Sequence, residues 1–441
     1  MTLINNNLQI NDKEIADLIQ NEFVRQSTTL SMIPSENYTS KAVREALGSV
    51  LVHKYSEGQI GKRYYEGNEN IDAIEGLAKS RAAEVFKLPE DWRVNVQAVS
   101  GSIANFAIIT ALLEPGDKIM SMYLPDGGHL SHGWKTPSGV PISFSSKIYD
   151  VHLYKVDPET EIFNYDDIEK QLKEFKPKLL IAGGTAYPQE IDHKRMAQIA
   201  HDNNAYYLAD IAHESGLVAA GVNTSPIGLA DVVMMTTQKT IRGPKGSIIL
   251  THKNLIDKID SAIFPGLQGG PFNNNIAGIA VCLKEAQTDE FKEYARQTVT
   301  NAKYLSQLLK DKGYHLVSGG TAKHLLLINL FDKDIEGRVA SRALDYAGIV
   351  CNKNTVPGEK RSPMNPSGIR LGTPTITTRG MKETEMVMIA EWVDRIMKHI
   401  TELGISGKKF EEVDVMLSHD ELLKSIKVQV EDLCTKFPLS D

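Results

Sequence analysis

Cysteine is scarce in this sequence of 441 residues, which contains three, Cys282, Cys351 and Cys434, at widely separated positions. Such spacing fits neither a disulfide framework nor a zinc cluster. Long apolar runs are also missing, because the longest stretches, such as 276–283, are far too short to span a bilayer. We therefore expect a protein without structural disulfides and without a membrane partner.

Basic residues are also fewer than acidic residues. Asp and Glu number 56 against 49 Lys and Arg, which gives a net charge of −7 with no block of like charge. Duplex-binding proteins usually carry a basic stripe, so we expect no nucleic-acid partner. Residues 1–20 lack the basic and apolar regions of a secretory signal and the arginines of a transit peptide, which favours a cytoplasmic protein.

Apolar runs and helical periods alternate through the middle of the chain. Six apolar runs are typical of buried strands, and several segments between them repeat apolar residues at helical spacing. Strands that alternate with helices predict an α/β fold, in which a mostly parallel sheet is covered by helices on both faces. The six runs are 94–96, 118–122, 179–182, 206–209, 232–235 and 248–251.

The pattern changes after about Phe272, where a long helical stretch begins and breaks near Asp289. A strand at 324–330 and a helix at 336–347 follow, which predicts a smaller α+β domain. We therefore expect three parts: an N-terminal helical arm (1–27), a large domain (28–285) and a small C-terminal domain (286–441).

The N-terminal part of the chain also carries helix signals. Asn11 followed by Glu14 predicts an N-cap residue with its capping-box partner. A second helix is expected after Ser40, and a third over about 70–87.

Polar side chains follow three of the predicted strands at the point where each strand ends. Thr185 follows the run 179–182, Asp210 and His213 follow 206–209, and Thr236 and Lys239 follow 232–235. In open α/β sheets, ligands bind beyond the carboxyl ends of the strands. These side chains are therefore expected to face one crevice.

A lysine and a carboxylate in such a crevice suit pyridoxal phosphate (PLP). A lysine holds this cofactor as a Schiff base, and an acidic residue keeps its pyridine nitrogen protonated. Ser100, Gly101 and Ser102 precede a predicted helix, whose N-terminal N–H groups suit a phosphate. If each residue is considered alone, Lys239 is more simply interpreted as a surface lysine and Asp210 as a helix-capping or turn carboxylate. Together they favour a PLP site.

Two further segments leave alternatives open. His129 and His132 have the spacing of metal ligands, but no Cys or Glu-rich partner motif accompanies them, so we expect no metal. The alternatives are that an imidazole stacks on an aromatic cofactor ring or that it is an ordinary loop histidine. The glycine-rich segment 264–271 is either a loop that needs positive φ angles or a phosphate cradle.

Eight segments, in order over nearly the whole chain from about Phe23, resemble the serine hydroxymethyltransferase family. This resemblance implies the PLP-dependent fold type I, an obligate homodimer with active sites at the subunit interface, and transfer of the serine hydroxymethyl group to tetrahydrofolate or a modified pterin. The segments are PSENY at 34–38, KYSE at 54–57 with GKRYY at 61–65, SGS at 100–102 with ANF at 104–106, PDGGH at 125–129, DIAH at 210–213 with GLVAAG at 216–221, KTIRGP at 239–244, QGGP at 268–271 and SGIRLGTP at 367–374.

The resemblance also implies catalytic roles for five residues. Lys239 would form the internal aldimine with PLP, Asp210 would pair with the pyridine nitrogen, and His129 would stack on the ring. Arg370 would clamp the substrate carboxylate, because a planar guanidinium suits that task. Glu57, from the neighbouring subunit, would be the acid/base for the transferred group.

The remaining implied positions bind cofactor, substrate or folate. The further cofactor contacts are Ser100, Gly101, Ser102, Thr185, His213 and Thr236, with Tyr55 and Gly269–Gly270 from the other subunit. The further substrate contacts are Ser35 and the other subunit's Tyr65. The folate contacts are Leu124, Gly128, Leu130, Tyr64 and Asn354.

Two positions depart from the family's pattern in the cofactor region. Gln238 stands where the family usually has His, and Glu214 stands where an apolar residue is usual. Gln cannot titrate near neutral pH, so we expect altered Schiff-base exchange or an altered pH dependence of the reaction, rather than its loss. Glu214 is expected to face outward.

Two other functions compete with this one. The first is a folate-independent PLP aldolase or transaldolase that acts on threonine-like β-hydroxy amino acids. The second is an inactive dimeric scaffold, against which the presence of Lys239, Asp210 and Arg370 counts. The sequence leaves open whether the assembly is a dimer or a tetramer.

Overall fold

The computed structural model describes residues 6–405 and 407–439. Its strands, numbered in chain order, are β1 (Leu30–Ser31), β2 (Gly58–Gln59), β3 (Lys62–Arg63), β4 (Trp92–Asn95), β5 (Lys118–Met122), β6 (Asp150–Tyr154), β7 (Leu179–Ala182), β8 (Tyr206–Asp210), β9 (Val232–Thr236), β10 (Ser247–His252), β11 (His315–Leu316), β12 (Leu325–Asn329), β13 (Ile349–Val350), β14 (Asn352–Asn354) and β15 (Gly368–Gly372).

The α-helices are numbered in the same way. They are α1 (Asn6–Asn11), α2 (Lys13–Thr28), α3 (Lys41–Leu47), α4 (Glu69–Val85), α5 (Gly101–Leu112), α6 (Phe144–Ile148), α7 (Tyr165–Phe175), α8 (His193–His201), α9 (Ser215–Ala219), α10 (Ile256–Ser261), α11 (Asn273–Glu285), α12 (Asp289–Asp311), α13 (Gly337–Tyr346), α14 (Pro374–Thr378), α15 (Glu383–Glu402), α16 (Phe410–Ser418) and α17 (Glu421–Lys436).

A seven-stranded sheet forms the centre of the larger part of the chain, in the order β4-β10-β9-β8-β7-β5-β6. The pairs from β9 to β6 are parallel, whereas β10 runs antiparallel to both β9 and β4. All six predicted strands occur, within one or two residues of their expected limits. The predicted α/β fold with a mostly parallel sheet is confirmed.

Side chains of this sheet alternate between two apolar layers. Leu180 and Tyr207 pack into one buried cluster, whereas their chain neighbours Leu179 and Leu208 pack into another. This period of two places helices on both faces of the sheet. The carboxyl ends of the parallel strands consequently lie together at one edge of the sheet.

A second, antiparallel sheet, in the order β11-β12-β15-β14, forms the centre of the C-terminal part. It shares an apolar cluster with helices α13 and α15–α17. Leu30 and Met32 belong to the same cluster, and β1 pairs in parallel with β13. The helix break expected near Asp289 is confirmed, because α11 ends at Glu285 and Thr288 caps α12. The division at 27 and 285 stays a prediction.

The predicted N-cap at Asn11 is wrong. Asn11 ends α1, and Asp12 is the N-cap of α2, where its side chain accepts the Ile15 N–H at 3.1 Å. Asn and Asp are nearly equal N-cap residues, so the sequence alone could not choose between neighbours. The helix expected after Ser40 is confirmed as α3, and Ser40 is its N-cap.

Candidate active site

Asp210 lies buried at the carboxyl end of β8. Its Oδ2 accepts hydrogen bonds from His132 Nε2 (2.8 Å) and Asn105 Nδ2 (2.9 Å), and its Oδ1 accepts the Ala212 N–H (3.0 Å). Burial by itself raises the pKa of Asp210, but the hydrogen bonds from His132 and Asn105 and the charge of His132 lower it below its usual range. Asp210 is therefore an ionised, firmly oriented carboxylate.

His129 lies in the same loop as His132, with their ring centroids 5.5 Å apart. Its Nδ1 lies 2.7 Å from Ser131 Oγ and accepts the Ser131 N–H at 3.2 Å. Burial, assisted by the charge of His132, lowers the pKa of His129 to about 4. The imidazole is consequently neutral near pH 7, which suits a ring that stacks on another ring.

Lys239 follows β9 and is 8% exposed. No hydrogen bond or ion pair within residues 6–405 and 407–439 engages its Nζ atom. Burial lowers the pKa of Lys239 to about 8, while the charge of Asp210 raises it and that of Arg370 lowers it. A substantial fraction of the amine is thus neutral, and therefore nucleophilic, near physiological pH.

Arg370 lies on β15 and reaches across to the large sheet's carboxyl edge. Its Nε donates to Asn352 Oδ1 (3.0 Å), and its Nη1 donates to the Thr185 carbonyl. Thr185 Oγ1 donates in turn to the Gly128 carbonyl (3.0 Å), and Asn352 Nδ2 donates to Asn354 Oδ1 (3.3 Å). Burial lowers the pKa of Arg370 to about 10, so the side chain remains a cation.

The N-terminus of α5 opens onto the same edge. Ser100 is its N-cap, and the Ser100 Oγ accepts a backbone N–H of the first turn (3.4 Å). A Cβ atom on Gly101 would lie 2.7 Å from Thr236 Cγ2, so only glycine fits there. Ser102 follows in the first turn. A 12-residue helix that starts with small residues leaves N–H groups available for an anion.

His213 follows Asp210 and pairs with a histidine from the C-terminal part of the chain. Its Nδ1 lies 3.3 Å from His324 Nε2, and the two rings stack with centroids 5.5 Å apart. Burial lowers the pKa of both imidazoles well below the usual value.

The prediction that Glu214 faces outward is wrong. Its side chain is buried and forms an ion pair with Lys323, which is buried as well. A carboxylate is rarely buried unless it is paired, and here the pairing cation comes from a residue 109 positions away.

Four of the predicted residues, Tyr55, Glu57, Tyr64 and Tyr65, lie within three residues of the hairpin β2–β3. A Cβ atom on Gly269 would lie 3.4 Å from Glu57 Oε1, and one on Gly270 would lie 3.5 Å from Tyr55 Cδ1, so this hairpin packs on the glycine-rich segment. The Tyr65 ring contacts the rings of both Tyr55 and Tyr64. No hydrogen bond, ion pair or ring contact in the described part of the chain joins this group to Lys239 or Asp210.

The other predicted residues surround these groups. Ser35 lines a cavity of about 230 Å³ together with Gln238, whose Oε1 is buried without a hydrogen-bond partner in the described structure. Leu124 begins a short turn beside the His129 loop, and Leu130 in that loop is exposed.

Sequence reasoning missed four polar partners in this region. Asn105 and His132 orient Asp210, Asn352 orients Arg370, and Lys323 pairs with Glu214. Asn105 carried a usable signal, because it is a polar residue on the buried face of an apolar helix. The other three lie in loops or short strands without a periodic pattern.

Two kinds of feature are not found among residues 6–405 and 407–439. No three His, Cys, Asp or Glu side chains lie together in a way that could hold a metal ion. None of the helices there combines the length and apolar character that crossing a bilayer requires.

The fold and the edge of the sheet together define the class of the protein. A mostly parallel seven-stranded sheet, a second smaller sheet, and a buried lysine and carboxylate at adjacent strand ends are those of PLP-dependent fold type I.

Comparison with known proteins identifies the family within that class. The family model for serine hydroxymethyltransferase matches residues 8–393. A serine hydroxymethyltransferase of Methanosarcina barkeri (strain Fusaro / DSM 804) is 48% identical over 429 residues, which cover 97% of this chain and 98% of the relative. One of Desulfotalea psychrophila (strain LSv54 / DSM 12343) is 48% identical over 431 residues, 98% of this chain and 95% of the relative. The chain belongs to the serine hydroxymethyltransferase family and is a transferase.

Proposed function

We propose that this chain catalyses the reversible transfer of the serine hydroxymethyl group to tetrahydrofolate, which gives glycine and 5,10-methylenetetrahydrofolate, with PLP bound at Lys239. The main support is Lys239 itself, which is a buried amine with a pKa of about 8. It lies close enough to Asp210 for the charge of that carboxylate to raise its pKa. Burying such an amine without an ion pair is energetically unfavourable, and groups with pKa values perturbed in this way are frequent at functional sites.

The residues present fit PLP. The N–H groups at the start of α5, with Ser100, Gly101 and Ser102, would hold its phosphate, and Thr236 would lie beside them. Thr185 and His213 would bind near its ring hydroxyl. Once bound, PLP would supply an electron sink for negative charge at the substrate α-carbon.

Asp210 and His129 would orient the cofactor ring in this proposal. The Asp210 carboxylate, kept ionised by His132 and Asn105, would hold a proton on the pyridine nitrogen. The neutral His129 imidazole would lie against the ring face. Both roles depend on a charge state that the surrounding residues maintain.

Arg370 and Ser35 would bind the substrate carboxylate. The Arg370 guanidinium remains charged despite burial, and two of its nitrogens are already oriented by Asn352 and Thr185. A guanidinium held in this way can present a planar fork to a carboxylate. Substrate would therefore bind in a defined orientation.

Glu57 would transfer the proton at the serine hydroxyl, and it would do so in the active site of the neighbouring subunit of a homodimer. The complete assembly would be either this dimer or a tetramer. The Glu57 hairpin also exposes Tyr55 and Tyr65, which would complete the cofactor and substrate pockets of that neighbour. Gly270 lies under Tyr55 and would join the same surface.

Folate would lie beyond Arg370. Gly128 and Asn354 are both linked to Arg370 through Thr185 and Asn352, which favours a folate site continuous with the substrate site. The further contacts proposed for folate are Leu124, Leu130 and Tyr64. Closure over both substrates would keep water from the transferred one-carbon unit.

Substitution of Lys239 tests this function. We expect Lys239→Ala to lose bound PLP and to lower glycine formation from serine by about 10³-fold or more. The matched control is Lys253→Ala, an exposed lysine after β10, which should retain both. Absorbance of bound PLP and glycine formation, each with and without tetrahydrofolate, are the measurements.

The competing functions give different results in the same experiment. A folate-independent aldolase would cleave threonine-like substrates at a rate that does not increase when tetrahydrofolate is added. A wild-type protein that takes up no PLP and turns over no serine would be a scaffold.

A further inference from the structure

A buried ion pair connects the two parts of the chain beside the proposed cofactor site. Glu214 lies just after β8, and Lys323 lies two residues before β12. Their side chains are 4% and 2% exposed, and Lys323 Nζ donates to Glu214 Oε1. Since each charge is removed from water, each depends on the other.

A second contact joins the same two segments of chain, at the residues next to Glu214 and Lys323. His213 precedes Glu214 and His324 follows Lys323, and their rings stack with a 3.3 Å nitrogen–nitrogen contact. The backbone is fixed at both places, because Thr240 Oγ1 donates to the His213 carbonyl (2.9 Å) and the Thr373 N–H donates to the His324 carbonyl (3.0 Å).

The surroundings of Lys323 leave Glu214 as its only anionic partner in the described structure. The Lys323 ammonium lies 5.5 Å from the centre of the Tyr187 ring, and the neighbouring Ala322 N–H donates to the Pro188 carbonyl (3.1 Å), which ties this segment to the one that follows β7. Movement of Lys323 would therefore carry His324, and with it the ring that stacks on His213.

We propose that Glu214 and Lys323 are positioning residues, which hold the stacked His213–His324 pair against the edge of the PLP site and so determine how tightly the apoprotein binds PLP. This inference rests on the proposed function, in which His213 binds near the ring hydroxyl of the cofactor. It assigns no contact with PLP to Glu214 or Lys323 themselves.

The test compares Glu214→Leu, Lys323→Met and the double variant. Each single variant leaves one buried charge unpaired, so we expect a lower unfolding midpoint and PLP binding weakened at least 10-fold. In the double variant both charges are gone, and replacing a buried pair by apolar residues is often neutral for stability. We expect its unfolding midpoint to recover while PLP binding stays at least about 5-fold weaker than in the wild type.

Two quantities are measured on the apoprotein. The first is the dissociation constant for added PLP, which is followed by absorbance, and the second is the set of NMR chemical shifts of labelled histidine rings. The signals of His213 and His324, assigned with His213→Gln, should move in the double variant. The control is the double variant Arg342→Met with Asp414→Leu, which removes a remote ion pair between α13 and α16 and should change neither measurement.

The outcomes separate the two proposals. Recovery of both stability and PLP affinity in the double variant, with unmoved ring signals, would overturn the positioning role and leave the proposed function intact. Failure of the wild-type apoprotein to bind PLP would overturn the proposed function, and the positioning role with it.

Discussion

Two buried carboxylates in this protein have pKa values that are shifted in opposite directions. Burial raises the pKa of Asp126 to about 6, because the one hydrogen bond that its side chain accepts in the described structure, from the Val156 N–H at 3.1 Å, and the charge of Lys155 compensate only in part. Asp210 is buried too, yet hydrogen bonds from two side chains and the charge of His132 lower its pKa. The number and charge of the partners therefore decide in which direction each pKa is shifted.

The raised pKa of Asp126 makes stability depend on pH. The protonated form is favoured in the folded state, so this contribution is complete below pH 4 and is lost as the pH rises through about 6. We expect Asp126→Asn, which stays neutral, to gain up to about 3 kcal/mol of unfolding free energy relative to the wild type between pH 4 and 7. Urea unfolding at several pH values measures this difference.

The control for that series is Asp202→Asn, a change of the same kind at an exposed residue after α8. Its stability difference from the wild type should stay flat over the same pH range. An Asp126→Asn difference that is equally flat would show that folding does not raise the pKa of Asp126.

Only part of the site could be predicted residue by residue. Lys239 and Asp210 follow apolar runs directly, so chain position alone assigns them to the carboxyl edge of a sheet. The contact of His132 with Asp210 spans 78 residues and lies in a loop without periodicity, so the sequence gives no sign of it. Likewise, the burial of Glu214 depends on Lys323, which lies far away in the chain.

The hairpin β2–β3 is too short to be stable alone, with two residues in each strand. Arg63 stabilises it from within, because Nη1 donates to the Ser56 and Gly58 carbonyls (3.0 and 2.7 Å). The same guanidinium pairs with Asp72 and with the fully buried Glu75 of α4, both at 2.7 Å. One side chain thus fixes the loop that carries Glu57.

We predict that Arg63→Lys disturbs this loop although it keeps the charge. A lysine cannot supply five donors in a planar fork, and several of these bonds would be lost. The kcat for serine should fall about 10- to 100-fold, with a loss of about 1–3 kcal/mol in unfolding free energy. Steady-state kinetics and urea unfolding measure the two effects.

The matched control is Arg93→Lys on β4, an exposed arginine whose bonds reach only neighbouring backbone carbonyls. Its kcat should equal that of the wild type. If Arg63→Lys lost stability but kept its kcat, the hairpin would not be what positions Glu57.

Most elements could be predicted because their patterns are local. The central strands are continuous apolar runs, and α7 has a clear helical period. The edge strand β6 was not predictable, since it is partly exposed and has no apolar run. The two-residue strands β1 and β13 exist only through their pairing with each other, which no local pattern indicates.

Two copies of the chain are needed for a complete site under the proposed function. Tyr55, Tyr64 and Tyr65 are exposed side by side on one chain, and the described structure contains no contact between them and Lys239. Exposed aromatic residues in a group are typical of an interface. A closed two-fold dimer would bring this surface to the partner's Lys239.

Mixing two inactive variants tests this sharing. In a mixed dimer of Lys239→Ala and Glu57→Gln chains, one site would combine an intact Lys239 with an intact Glu57. Random pairing should then restore about a quarter of wild-type activity. Activity is measured after unfolding and refolding the mixture, with each variant refolded alone as the control; no recovery would mean that each site is built from one chain.

The pairing of β1 with β13 joins Leu30 to Ile349, across roughly 320 residues of chain. At a synthesis rate of about 5–20 residues per second, Leu30 leaves the ribosome roughly 15 to 60 s before its partner strand exists. Leu30 and Met32 are fully buried in the finished protein. All other buried residues of their cluster lie at position 305 or beyond, so during most of that interval Leu30 and Met32 lack the apolar partners of the folded protein.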